Sequence, residues 1–336
     1  MIYQAVFISM VSSVLLASPM SVSPSILEEI RMEAKPRQDF LQLPLMLSEK
    51  PRHIGPFHVS VMPIRRSGAS QYEIGGKYST LYTSTLYPNP LSRLVFSNDY
   101  QGIKCNLRYD INDTQIQVSF AQNQRNQASL LMKDFDWLSD NNKLDIYSES
   151  QSNINHQALS ISVKQALFQS TLQALYVGAS LRFQHYNWEV YDSVEIDYRS
   201  NHQVALEGNT LSYELNQYQP SIFFDHHLHL FRAQLITQLN LLLPFAMTQD
   251  RDHHRLRDKL TESTQYGSGF YWTEQVHWPL THHWLATARL YYQYVISSGV
   301  QNQYQMGQQK NTWLGSIQES IIGEESGLMV GLTYEP

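Results

Sequence analysis

The chain contains one cysteine, Cys105, in 336 residues. A single thiol cannot build an internal disulfide framework, nor any zinc site that needs two or more thiolates. Charge is scarce as well: Asp, Glu, Lys and Arg make up 16% of the chain, with a formal net charge of -6. That balance leaves no basic footprint for nucleic acid, so no nucleic-acid partner is expected. Long apolar runs are also missing. No stretch reaches the ~18 consecutive apolar residues of a membrane helix, so any crossing of a bilayer must be made by strands. The run at residues 5–17 is too short to span and reads as the core of a signal peptide covering residues 1–20. Residues 1–4 carry no Lys or Arg, and a buried N-terminal helix is the alternative.

Aromatic residues are what the chain has in abundance, with 21 Tyr and 6 Trp. Few charges with many aromatics do not suit a disordered chain and do suit a barrel with Tyr and Trp girdles at the membrane interfaces. Residues 21–70 form a Pro-rich extension: prolines at 24, 36, 44, 51 and 56 prevent central strand pairing. Within it, residues 57–65 alternate modestly and read either as an extra strand or as part of the extension. From residue 71 to 336 the chain reads as long alternating strands. Ile103, Cys105, Leu107 and Tyr109 interleave with Lys104, Asn106, Arg108 and Asp110, and Asn112-Asp113 then makes a turn. Ile116, Val118 and Phe120 repeat the pattern. Further strands are expected at 75–82, 93–109, 159–167, 175–183, 211–228, 233–245, 270–278, 284–296, 313–321 and 328–334. The fold class is therefore all-β, a transmembrane antiparallel β-barrel of about ten strands. A soluble β-sandwich would alternate too. Polar side chains such as Lys104, Arg108, Gln234, Gln238 and Asn240 on the inner faces, together with the apolar leader, favour the barrel.

Chemistry is concentrated in two short segments. In Met132-Lys133-Asp134-Phe135-Asp136-Trp137-Leu138 an extended backbone puts Asp134 and Asp136 on one face, where two close carboxylates share a proton or draw in a cation. In Asp250-Arg251-Asp252-His253-His254 the same alternation aligns Asp250, Asp252 and His254, and an Asp beside a His orients a general base. Each motif alone reads equally as a solvated loop, and the Asp pair as a calcium site short of ligands. His253 faces away by alternation. Parity poses one problem: with Ile116, Val118 and Phe120 outward, Asp134 and Asp136 would also point outward unless a bulge within 122–127 resets the faces. No such repair is needed before Asp250.

Together and in this order the two motifs resemble the omptins, outer-membrane endopeptidases in which an Asp pair followed by Trp faces an Asp-x-His pair across the mouth of a ten-stranded barrel. Ser212-Tyr213 followed by Gln219-Pro220-Ser221-Ile222 resembles that family's strand leading to a turn. The resemblance covers roughly residues 75–334 and is patchy between the motifs. It implies Asp134, Asp136, Asp252 and His254 as catalytic residues, with His254 activating water. It also implies Asp250 as the acid of a pocket for a basic side chain, protein or peptide substrates, and an outer-membrane location as a monomer. No cofactor or metal is implied beyond lipopolysaccharide as a lipid partner and activator. The family's second pocket acid would fall near Ser79 or Thr80, and neither is acidic. Asp225-His226-His227-Leu228-His229 has metal-like composition but falls near an expected turn, far from the two motifs. A non-proteolytic barrel that binds or conducts, and a soluble metallohydrolase using the His pairs, are the competing classes.

Overall fold

The computed structural model describes residues 57–87, 89–124, 130–139, 143–253, 258–307 and 311–336. The leader and residues 21–56 lie outside that set. The described residues form fourteen strands in chain order. These are β1 (Phe57–Ser79), β2 (Ser84–Leu86), β3 (Ser92–Ser97), β4 (Tyr100–Ile111), β5 (Thr114–Asn123), β6 (Leu130–Asp136) and β7 (Ile146–Gln169). The second half follows with β8 (Gln173–Asp197), β9 (His202–Leu230), β10 (Ala233–Leu242), β11 (Phe245–Asp252), β12 (Lys259–Pro279), β13 (Trp284–Gln305) and β14 (Thr312–Tyr334). β3 with β4, β5 with β6, and β10 with β11 follow one another along single staves, and β2 is a short addition to β1. Ten antiparallel staves result, closed by β1 against β14 from Val59↔Tyr334 to Ser79↔Ser316. Closure leaves no unpaired edge, which is what a strand needs to cross lipid.

Alternation explains why the ring faces lipid. Leu159, Ile161 and Val163 on β7, Ile222 and Phe224 on β9, Leu239 and Leu241 on β10, and Leu328, Val330 and Leu332 on β14 are exposed outward. Trp278, Trp284 and Tyr334 lie at the turn end of this belt, and the contiguous series of tilted rings Phe183, Tyr218, Phe245, Tyr266 lies at its other end. Such aromatic girdles sit at headgroup depth. Beyond the second girdle the outward series turns polar: Gln157, Asn155 and Asn153 on β7, His185, Asn187 and Glu189 on β8, Asn216, Glu214 and Ser212 on β9. The upper halves of the staves therefore stand clear of the bilayer.

Two expectations about boundaries change. β1 begins at Phe57, so residues 57–70 belong to the barrel and not to the extension; its outward Phe57, Val59 and Val61 form part of the belt. Residues 313–321 and 328–334 are one strand, because small polar outward residues such as Ser320 and Ser326 sit above the belt, where lipid no longer demands apolar side chains. The Gln219-Pro220-Ser221-Ile222 segment is the middle of β9 and not a turn. Pro220 is tolerated there because it faces the break between β10 and β11: Leu242 pairs with Ser221 and Phe245 with Tyr218.

The parity repair does occur between β5 and β6. Gln122 pairs with Gln157 and Leu130 with Ser152, so one stave advances 130 − 122 = 8 residues against 157 − 152 = 5 on its neighbour. Three extra residues, an odd number, exchange the faces, and Met132 is buried inside.

Candidate functional site

Both motifs lie at the ends of their staves that stand clear of the bilayer. Asp134 and Asp136 close β6, opposite Leu94 and Ser92 on β3 and Ser148 and Ile146 on β7. They share the inward parity of buried Met132, and Ser92 Oγ lies 3.5 Å from Asp134 Oδ1. The opposite face of the segment is fixed by aromatic contacts. Phe135 stacks on Trp137, Arg93 lies 5.5 Å over the Trp137 ring, and Trp137 N donates to Leu91 O at 2.8 Å. Trp137 therefore anchors the strand end from outside, leaving the carboxylates on the lumen side. Just beyond, Ser139 donates to Asp145 through both backbone N (2.6 Å) and Oγ (2.7 Å).

Asp250 and Asp252 close β11, opposite Tyr213 and Leu211 of β9. Parity is kept across the β10–β11 break, since both staves advance three residues there: 245 − 242 and 221 − 218. His253 turns away, as alternation predicts, with its Nε2 2.6 Å from the outward Ser212 Oγ. His254 lies outside the described residues. Around the ring, the stave of β6 and the stave of β11 are four steps apart through β7, β8 and β9, and six the other way. The two acidic pairs thus sit on staves nearly opposite one another.

Beneath them the lumen is closed. Tyr72, Leu94, Phe96, Tyr100, Met132, Ile154, Tyr186, Trp188, Val190, Tyr213, Leu215, Ala246 and Ile321 form one buried layer drawn from eight of the ten staves. Trp188 is wholly buried within it, with Tyr186 stacked on its ring at 5.1 Å and Phe96 tilted against it at 5.0 Å. Rings at these separations add packing energy beyond the area they bury.

One functional candidate escaped the sequence reading. Glu319 on β14 is buried, with Ser263 Oγ donating at 2.9 Å, Thr248 Oγ1 at 3.3 Å and Gln265 Nε2 also donating. Burial pushes its carboxyl up to about 8, and the charge of Asp250 adds to the rise. Asp250 is pushed up to about 7, first by burial and then by Asp252, with Lys259 opposing. Its Oδ1 is buried without a hydrogen-bond partner among the described residues. Both acids lie above the belt, where the outward neighbours Gln249, Glu262 and Gln318 are exposed and polar. The only signal for Glu319 in the sequence is parity: it falls on the inward series between Ile317 and Ile321.

The Asp225–His229 cluster is divided by the sheet. Asp225 and His227 point inward and meet Lys164, His229 lies on the same face at the exposed strand end with its Nε2 3.4 Å from Gln234 Nε2, and His226 faces the other side. Among the described residues no group of three or more His, Cys, Asp or Glu is placed to hold a metal ion.

No family model matches the chain. No curated protein matches it either. Solved structures do: the outer membrane protease OmpT from Escherichia coli is 12% identical over 86% of this chain and 99% of that chain, with a TM-score of 0.71. The outer membrane protein OprG from Pseudomonas aeruginosa is 10% identical over 84% of this chain and 97% of that chain, with a TM-score of 0.34. At such identity the first likeness establishes a shared architecture and leaves chemistry to the residues. With its lipid-facing belt and closed ring of ten staves, the chain has the fold of an outer-membrane β-barrel.

Proposed function

We propose that this barrel is an outer-membrane endopeptidase that hydrolyses peptide bonds of exposed proteins or cationic peptides beside Arg or Lys. The observation that carries the reading is the inward register of two acidic pairs, Asp134/Asp136 and Asp250/Asp252, at the outer ends of nearly opposite staves above a closed floor. His254, oriented by Asp252, takes a proton from a water that attacks the scissile carbonyl. Asp134 and Asp136 hold that water from the other side and stabilise the charge that develops on His254. Asp250 and Glu319 form the base of a pocket for the basic side chain, so the second acid comes from β14 instead of the Ser79–Thr80 region. A cation entering this pocket meets two carboxyls whose ionisation it favours. Lipopolysaccharide is the expected lipid partner of the folded monomer.

A channel function is disfavoured by the aromatic layer, which fills the lumen across most of the ring. The deciding experiment is peptide-library cleavage by the full chain reconstituted with lipopolysaccharide, beside His254→Ala. Cleavage after Arg and Lys that disappears in the variant supports the reading. An inert wild-type barrel, folded by its heat-modifiable gel mobility, returns the protein to the binding class.

A further inference from the structure

Below the aromatic layer, at the depth of the lipid belt, the lumen contains a cavity of about 50 Å³ lined by three cations, Arg66, Lys104 and Arg182. Arg66 is matched: its Nη2 meets Glu325 Oε2 at 2.6 Å, and it donates to Tyr100 at 2.6 Å and Tyr291 at 2.9 Å. Arg182 is only partly satisfied. Its Nη1 donates to Gln293 Oε1 at 2.8 Å, and its guanidinium lies 4.1 Å over the Tyr271 ring. Lys104 makes no hydrogen bond or ion pair among the described residues, and the charges that act on it, those of Arg289, Arg182 and Arg66, are all positive. With Glu325 committed to Arg66, the lining keeps one guanidinium, that of Arg182, and one lysine amine, that of Lys104, with no acid among the lining residues.

A lysine amine and a guanidinium facing one cavity in a low-dielectric belt, with no acid of their own among the described residues, are unfavourable when both are charged, and a bound anion relieves this and holds the lysine proton in place. We infer that this cavity binds a small, multiply charged inorganic oxyanion, phosphate or sulfate. A tetrahedral oxyanion offers several acceptors at once, which suits the unused donors of Lys104 and Arg182 and the hydroxyls of Ser119 and Ser160 that also line the cavity. The site is independent of the proteolytic reading, because the aromatic layer separates it from the acidic rim. Its role is to complete the barrel interior, neutralising cations that the sequence places on inward faces of β4 and β8.

The test is equilibrium dialysis of the full-length, detergent-folded protein against radiolabelled inorganic phosphate at constant ionic strength. One equivalent should bind saturably, with displacement by sulfate and none by chloride. Lys104→Gln and Arg182→Gln should each weaken binding about tenfold or more, as loss of a charge-assisted hydrogen bond demands. Both variants are checked for folding by heat-modifiable mobility. No saturable binding by the wild type, equal displacement by chloride, or unchanged affinity in both folded variants would overturn the assignment.

Discussion

Asp250 on β11, half-buried, and Glu319 on β14, buried, lie on staves separated by β12 and β13, and the charge of Asp250 helps raise the Glu319 carboxyl to about 8. Among the described residues neither carboxyl faces a buried cation of its own, although Lys259 lowers Asp250 from a distance. In the proposed pocket these two carboxyls are completed by the positive charge of an entering side chain.

The pH dependence of substrate binding follows. Below about pH 7 both carboxyls are protonated and attract a basic side chain weakly. KM for substrates with Arg or Lys at the cleaved position should fall as pH rises through about 7 to 8, and substrates with neutral residues there should lack this limb. Asp250→Asn combined with Glu319→Gln should flatten it. A KM profile that stays unchanged in the double variant removes these acids from the pocket.

Stability should move in the opposite sense. Because burial raises both carboxyls, the folded chain holds more protons than the unfolded chain between the ordinary carboxylate range and about pH 8. Their contribution to stability is present at low pH and is lost as pH rises through about 7 to 8. Glu319→Gln should therefore stabilise the barrel at alkaline pH and change little at pH 5. Urea unfolding of the variant and the wild type at the two pH values measures this.

For the chemistry, Asp134→Asn and Asp252→Asn should each reduce kcat by about 10²- to 10⁴-fold, the range for a positioned acid or base. Folding should be unaffected, since both residues sit at strand ends. Retention of near wild-type turnover by either variant removes that residue from catalysis. A fall in turnover that tracks lost heat-modifiable mobility would instead mark a folding defect.

The aromatic layer should be both structural and a seal. Trp188→Ala should cost about 3–5 kcal/mol, the range for emptying a large buried site. It should also raise single-channel conductance in planar bilayers, because the ring it removes lies within the closed floor. Silent bilayers with a destabilised variant would show that the neighbouring rings collapse into the gap.

The lipid face makes a depth-dependent prediction. Leu241→Arg, outward and 48% exposed in the belt, should cost about 2–4 kcal/mol in lipid-supported unfolding, whereas Gln249→Arg on the same stave should be close to neutral. Similar costs at both positions would place the bilayer higher on the barrel than the polar outward series indicates.

By itself, the sequence determined the architecture: period-2 alternation from Ile103 to Phe120 and from Leu239 to Phe245 fixes strands with one apolar face, and that is a local property of a pleated backbone. For the same reason it gave the inward face of Asp250 and Asp252, with Leu239, Leu241, Leu243 and Phe245 in register just before them. It also located the need for a parity change before Asp134, but not the three extra residues that make it, because register is set by the partner β7. The start of the barrel at Phe57 was obscured because a strand in the belt is recognised by what it pairs with, and β1 pairs with β14 at the far end of the chain. Only the closed ring brings Glu319 near Asp250, two acids sixty-nine residues apart (319 − 250), or places Lys104 beside Arg182 and Arg66. Alternation states which way a side chain points; the curvature and stagger of the closed ring decide what it meets there.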